Sequence, residues 1–327
     1  METTKRVLVT GGAGYIGSVL VRLLLKQNYK VRVLDNLLFG GESIVELLND
    51  PNFEFIKGDV RDEQILNIAL QNIDIVANLA AIVGDPACAK EPELAKVVNF
   101  EAVKMVYQIA NKLGVDRFIF ASTCSNYGKM DDPNTFVDES SKLAPVSLYA
   151  ETKVATENFL LNQPKENKCK PTCLRFSTVY GLSPRMRFDL TVNEFTKELA
   201  LGRELVIFGE QFWRPYCHVV DLSRSVIAVI EAPVNKVEFN VFNVGSTIEN
   251  YTKKMLVEEI VKQLPDSKVK YVQRNDDPRD YKVSFKKIND TLGFDISRTV
   301  PEEIAKIIKV VKEDFFKNPD DDKFKNC

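Results

Sequence analysis

Histidine is almost absent from this chain: His218 is the only one in 327 residues. That excludes every mechanism built on two histidines, the H-E-x-x-H metal site among them. Any Ser-His-Asp triad would have to pass through that one position. Six cysteines (Cys88, Cys124, Cys169, Cys173, Cys217 and Cys327) are scattered, with no C-x-x-C pair. This argues against a metal site or a disulfide framework and for reduced thiols, several of them in the core. No apolar run is long enough to span a membrane. The N-terminus also lacks a charged-then-apolar signal pattern, because Gly11 cuts the run that begins at Val7. Neither sign of charge dominates: 44 Lys and Arg against 46 Asp and Glu leave a net charge of −2. There is thus no basic field for nucleic acid or for an anionic membrane. Internal repeats and low-complexity linkers are missing too. These absences lead us to expect a cytoplasmic protein with neither nucleic-acid nor membrane partners.

What remains is the composition of an ordinary globular protein, 45% hydrophobic and 28% charged. The first half alternates short apolar runs with helix-period stretches. Strands are expected at "RVLVT" (6–10), "KVRVLD" (30–35), "FEFIKGD" (53–59), "IDIVANLAA" (73–81), "DRFIFAST" (116–123) and "PTCLRFSTVYG" (171–181). Helices are expected over 15–28, 92–113 and 148–162. Such alternation with short connections implies an α/β fold with a Rossmann-like, doubly wound parallel sheet. After Gly181 the rhythm breaks. We therefore divide the chain into a dinucleotide-binding domain, 1–181, and a smaller C-terminal α/β lobe, 182–327. The strand in "VEFNVFNVG" (237–245) should rejoin the first sheet, and the final polar run "KNPDDDKFKNC" should be a frayed tail.

The opening stretch "VLVTGGAGYIGSVL" places Gly11, Gly14 and Gly17 directly after a strand and at the start of a helix. In a dinucleotide fingerprint the first glycine permits the tight turn. The second lets the backbone approach a pyrophosphate, and the third lets helix pack on strand. The helix N-terminus then offers free N–H groups to the phosphates. Asp35 ends the second strand, 18 residues past Gly17, where a carboxylate would accept from both hydroxyls of an adenosine ribose. No basic residue follows it in "DNLLFG", so the expected cofactor is NAD rather than NADP. Asp59 in "KGDVRD" and the small residues of "NLAA" end the third and fourth strands at the edge where open α/β sheets bind ligands.

"LYAETK" sets Tyr149 and Lys153 four apart on one helix face. A free tyrosine, with a pKa of about 10, is a poor base at neutral pH. A neighbouring ammonium favours the phenolate and would make it a usable acid/base. "FASTCSNYG" adds the hydroxyls of Ser122 and Thr123 at the end of the fifth strand.

With these motifs in order, the chain resembles an extended short-chain dehydrogenase/reductase of the NAD-dependent nucleotide-sugar epimerase/dehydratase family. "TGGAGYIGS", "GDVRD", "NLAA", "FASTCSNYG", "YAETK", "LRFSTVYG" and "RPYCHVVDL" carry the resemblance along essentially the whole chain. It implies that Thr123, Tyr149 and Lys153 are catalytic. The tyrosine would take the proton of a sugar hydroxyl, usually at C4, while that carbon's hydride passes to the nicotinamide. The resemblance places Gly11, Gly14, Tyr15, Ile16, Gly17, Asp35 and Asn36 at the cofactor. It adds Asp59, Val60, Leu79, Ala80, Ala81, Asn99, Ser122 and Phe176, with Tyr149 and Lys153. It assigns Arg214 and Arg279 to the substrate diphosphate, with Thr178, Arg185, Arg187 and Asn193 as further substrate residues. Relatives are homodimers through the helix 92–113 and the helix bearing Tyr149. No metal site is implied, and His218 is expected to be structural.

Departures from the family narrow the reaction. The 4,6-dehydratases carry an Asp-Glu pair after the catalytic threonine, where this chain has Cys124 and Ser125. Similar decarboxylases keep a glutamate at the position of Ser125, and 3,5-epimerising relatives a cysteine. Serine is too weak an acid or base for either task. What remains is 4-epimerisation, oxidation or reduction at C4. Thr178 stands where typical 4-epimerases carry an asparagine. "AAIVGDPACA" and "SPRMRFDLTVNEF" are similar to enzymes acting on GDP-linked heptoses in surface-polysaccharide pathways, the alternative being a UDP- or dTDP-sugar 4-epimerase. A non-catalytic NAD-binding sensor would usually lose the Tyr-Lys pair kept here. Cys124 is read as a packed residue rather than a reactive thiol.

Overall fold

Short β-strands lie at the centre of the molecule, the inner ones buried on both faces as parallel strands under two helical layers must be. The computed structural model describes residues 4–130, 132, 135–273 and 279–326, so Cys327 lies outside the described residues. The strands are β1 (Arg6–Thr10), β2 (Lys30–Asp35), β3 (Phe53–Lys57), β4 (Ile75–Asn78), β5 (Arg117–Thr123), β6 (Lys170–Phe176), β7 (Thr178–Tyr180), β8 (Leu205–Phe208), β9 (Trp213–His218), β10 (Asn240–Val244), β11 (Asn250–Thr252) and β12 (Val269–Val272). Seven of them form one sheet in the order β10-β6-β5-β4-β1-β2-β3, every pair parallel. The strand order reverses between β1 and β4, which opens a crevice at the carboxyl edge of the sheet.

One face of this sheet packs on the helices Gly17–Lys26 and Val219–Glu231, through Leu20, Leu24, Leu222 and Val226. The other packs on Ala102–Lys112 and Glu63–Ala69, with Val103, Val106 and Leu66 buried between. A separate core of Val192, Leu256, Ile260, Ile304 and neighbours holds the C-terminal lobe. After residue 181 the chain returns to the first layer with the helix Val219–Glu231, with β10, which adds to the edge of the sheet beside β6 as expected, and with the segment bearing Val283, Phe285 and Ile288.

Three expectations need correction. The run 171–181 is not one strand. Ser177 turns its N–H and its hydroxyl onto the same carbonyl of Val244, at 3.3 and 2.7 Å. That ends the ladder, and β7 joins β9 and β11 in a separate three-stranded sheet. The helix expected over 92–113 is α-helical at Pro92–Lys96 and Ala102–Lys112 but π-helical across Val97–Glu101. The Thr156 hydroxyl donates to the Asn99 carbonyl at 2.9 Å there, an intrusion of the kind that widens a helical turn. The C-terminal segment is not frayed through its described length. The Phe324 ring packs edge-on against Phe188 and Phe316, its carbonyl accepts from Phe188 N at 2.9 Å, and Asp320 pairs with Lys197 and Arg203. A single aromatic anchor outweighs the polar composition around it.

Candidate active site

A cavity of about 610 Å³ opens along the carboxyl edge of the seven-stranded sheet, within the size range of small-molecule sites. Parallel register brings the ends of β1, β2, β4, β5 and β6 to this edge together: Thr10 stands beside Leu34 and Asn78, and Thr123 beside Phe176. The glycine turn forms its floor. Gly11 has φ +74°, and a Cβ there would stand 2.8 Å from Ala80 N. A Cβ on Gly17 would stand 2.2 Å from the Gly11 carbonyl oxygen, so the helix can start only where no side chain exists. At Gly14 the nearest such contact is 3.2 Å, to Gly11 O, leaving that backbone open to a ligand.

Asp35 faces the turn. Its carboxylate accepts from Ala13 N at 2.9 Å and Leu37 N at 2.8 Å, and burial pushes its pKa up against those two bonds. It lines the cavity with lone pairs to spare. Asp59 holds Arg61 with two bonds of 2.9 and 2.7 Å, and this pairing keeps its carboxyl below the usual range.

At the other end Thr123, Tyr149 and Lys153 line the cavity together. The helix Leu148–Leu161 carries the last two; Ser147 caps it by accepting from Ala150 N. Lys153 is buried, donates to the Ala121 carbonyl at 2.8 Å and lies 5.8 Å from the centre of the Tyr149 ring. The Thr123 hydroxyl oxygen accepts from Ser125 N at 3.1 Å. The expectation that Lys153 would draw Tyr149 toward phenolate is reversed in the free chain. Burial pushes the Tyr149 phenol well above its ordinary value, and the nearby Asp85 carboxylate adds to this. Burial also pulls the Lys153 ammonium down to about 8. Two ionisable groups share a desolvated site, and the ammonium gives one of its three N–H donors to the Ala121 carbonyl, which leaves two for other partners.

Every residue expected at the cofactor lines this cavity except Asn99. Asn99 is fully buried and instead braces the loop at Ile82, accepting from its N–H at 2.8 Å and donating to its carbonyl at 3.0 Å. Ser122 reaches the cavity, but its hydroxyl donates to Glu157, itself paired with Arg175 at 2.7 Å beneath the site.

Of the residues expected at the substrate, Thr178, Arg185, Arg187 and Arg279 line the cavity. Arg187 is held by Asp189 at 2.9 and 2.6 Å, and Arg279 by Asp85 at 2.9 Å across the mouth. Asn193 and Arg214 do not line it. Asn193 is turned inward, where it accepts from Gly181 N at 2.9 Å and donates to the Tyr15 hydroxyl at 3.1 Å. Arg214 lies behind the wall, its guanidinium 5.2 Å over the Tyr281 ring. His218 is buried as a helix cap, accepting from Val220 N at 3.1 Å. The Cys124 thiol faces the Arg175 carbonyl at 3.2 Å and burial pushes its pKa up, so it is packed rather than reactive. The five described cysteines are all free and buried.

Among the cavity residues that escaped sequence reasoning, Asp85 and Tyr281 stand closest to the chemistry of the site. Asp85 was hidden in "VGDPA", where an acid beside proline reads as a loop. Tyr281, its hydroxyl 3.5 Å from Ser125 Oγ, was hidden among the charges of "DPRDYK".

The model of the NAD dependent epimerase/dehydratase family matches residues 7–245. The chain belongs to this family. Its fold is that of the extended short-chain dehydrogenase/reductases. The chain is 30% identical to the low-salt glycan biosynthesis protein Agl12 of Haloferax volcanii over 250 residues, 74% of this chain and 77% of that protein. The UDP-glucose 4-epimerase of Thermotoga maritima, solved with UDP-glucose, superposes with a TM-score of 0.83 at 28% identity, covering 95% of this chain and 99% of that one. The dTDP-glucose 4,6-dehydratase DesIV of Streptomyces venezuelae, solved with NAD bound, also gives 0.83, at 25% identity and with 94% and 97% covered. The cofactor of the family is NAD, and the residues around the cavity fit it: a glycine cradle at one end, Asp35 beside it, and the Tyr149–Lys153 pair at the other. Among the described residues no helix is long and apolar enough to cross a membrane, and no three His, Cys, Asp or Glu side chains gather as a metal site.

Proposed function

We propose that this family member works at C4 of a nucleotide-linked sugar, as a 4-epimerase or 4-dehydrogenase, and does not carry the reaction on to dehydration. The observation that carries this reading is the neighbourhood of the catalytic threonine. Thr123, Tyr149 and Lys153 share the cavity, while Cys124 points away into the core and Ser125 alone faces the substrate end. Asp85 is the nearby carboxylate, and its charge is taken by Arg279.

Tyr149 accepts the proton of the C4 hydroxyl, Thr123 positions that oxygen, and Lys153 steadies the phenolate and the nicotinamide ribose. NAD, held by the glycine turn, Asp35 and Lys153, would supply the acceptor for the C4 hydride and a positive charge beside the phenol, which favours its ionised form. Arg187 and Arg279 face the substrate diphosphate, with Thr178 beside them; planar guanidinium forks suit phosphate oxygens. The protein works as a cytoplasmic homodimer in surface-polysaccharide or other sugar-nucleotide biosynthesis.

A second reading of the substrate has its own support. The runs around Asp85 and Arg185 favour a GDP-linked heptose, whereas the relative named as a UDP-glucose 4-epimerase favours a UDP-sugar. Incubation with GDP-, UDP-, dTDP- and CDP-sugars, followed by NADH absorbance and product analysis, tests both. A 4-keto sugar or a C4 epimer is the expected product. Failure of every nucleotide sugar to reduce bound NAD or to change at C4 would sink the proposal.

A further inference from the structure

Arg185 carries a charge that the described residues leave unanswered. The residue is 6% exposed. One Nη donates to the Lys325 carbonyl at 2.7 Å, and the guanidinium carbon lies 4.2 Å over the Phe39 ring. Its Nε is buried with no acceptor. Among the described residues no carboxylate lies within ion-pairing distance of it. Asp189, the carboxylate whose charge reaches it, is held by Arg187 and by Asn326 N. A buried cation without an anion is costly, and an arginine presents five donors in one plane. Burial, together with repulsion from Arg187, pulls Arg185 down to about 10. The site is built for a ligand that brings negative charge and several acceptor oxygens.

Position selects which ligand. The segment bearing Arg185 is fastened to the glycine turn and not to the Tyr149 end. The Tyr15 hydroxyl donates to the Gly181 carbonyl, and the Ser183 hydroxyl donates to the Tyr15 carbonyl at 2.7 Å and meets Ser18 Oγ at 3.3 Å. Phe39, under the guanidinium, belongs to the loop that follows Asp35. Arg185 therefore overhangs the end of the cavity floored by the glycine turn.

We propose that Arg185 closes over the diphosphate of the bound dinucleotide, facing the glycine turn across it, so that the C-terminal half of the chain takes part in holding the cofactor. The proposal replaces the expectation that Arg185 serves the substrate. It rests on NAD as the family's cofactor and not on the C4 reading, so its test needs no sugar substrate. A diphosphate has two sources in this enzyme, and the glycine turn favours the cofactor's. Protein freed of nucleotide is titrated with NAD, ADP-ribose, adenosine, UDP and GDP by calorimetry, as wild type, Arg185→Met and Arg185→Lys. Arg185→Met should weaken NAD and ADP-ribose by about tenfold or more while leaving adenosine, UDP and GDP within about twofold. Arg185→Lys should fall between, because it keeps the charge and loses the fork. The melting temperature of the nucleotide-free Arg185→Met protein should not fall, since an unpaired buried charge has been removed. Unchanged NAD affinity in both variants would overturn the proposal. So would a loss confined to UDP and GDP, which hands Arg185 to the substrate, or an equal loss for adenosine and NAD, which makes its role one of shaping the loop.

Discussion

The glycine turn that floors one end of the cavity is built of backbone and small residues, whereas the Tyr149 end and the arginines expected at the substrate are long, charged or ionisable side chains. At the glycine turn the constraint is steric: a Cβ on Gly11 or Gly17 would collide with backbone atoms. Such a site tolerates one residue type per position, whatever ligand approaches. At the substrate end the constraint is electrostatic, and each charge depends on its partner: Arg279 on Asp85, Arg187 on Asp189, Lys153 on a carbonyl. The first kind of site is rigid before the ligand arrives. In the second, burial sets the balance of charge, raising the Tyr149 phenol and lowering the Lys153 ammonium.

The comparison can be broken most sharply at Tyr149. Tyr149→Phe removes the proton acceptor and almost no volume, so kcat should fall by about a hundredfold to ten-thousandfold with NAD content unchanged. Activity within about tenfold of wild type would take the tyrosine out of the mechanism. Lys153→Met comes next: it should reduce turnover and cofactor retention together, measured as kcat and as NAD carried through purification. It also carries a pH signature in the nucleotide-free protein. Lys153 titrates at about 8 when folded and at about 10.4 when unfolded. Below pH 8 the fold bears the full cost of a buried ammonium. Between those values the unfolded chain binds more protons than the native one, so stability rises with pH. Denaturant titrations should therefore show wild type gaining on Lys153→Met as pH goes from 8 toward 10. A constant difference between the two would mean that Lys153 is not desolvated.

The same contrast explains what the sequence did and did not reveal. The cofactor end was legible because its geometry demands glycine at Gly11 and Gly17, and an acid at a strand end has few other uses at Asp35. Arginines are harder to read, because nothing in "WRPYC" says that Arg214 lies behind Tyr281 instead of lining the cavity. Asn99 and Asn193 look like ligand contacts in one dimension and prove to be braces for loops in three. The break at Ser177 was invisible because both of its hydrogen bonds go to Val244, far along the chain. The docking of Phe324 likewise depends on Phe188 and Phe316.

Smaller effects sharpen the picture at each end. Asp35→Ala should narrow the preference for NAD over NADP by about tenfold or more, by weakening NAD and relieving like-charge repulsion of a 2′-phosphate. Equal binding of both cofactors by the unmodified protein would show that Asp35 does not read the ribose. Cys124→Ser should leave kcat within about twofold, because the thiol faces the Arg175 carbonyl and a hydroxyl can donate there too. A collapse in activity at normal stability would make Cys124 a participant.

The central claim is that the chemistry stops at C4, and isotope tracing reads this most directly. Turnover of a reactive nucleotide sugar in deuterated water, followed by NMR and mass spectrometry of the product, should show no deuterium at C5 and an intact C6 oxygen. A 4-keto-6-deoxy product with solvent deuterium at C5 would contradict the account and make the protein a dehydratase.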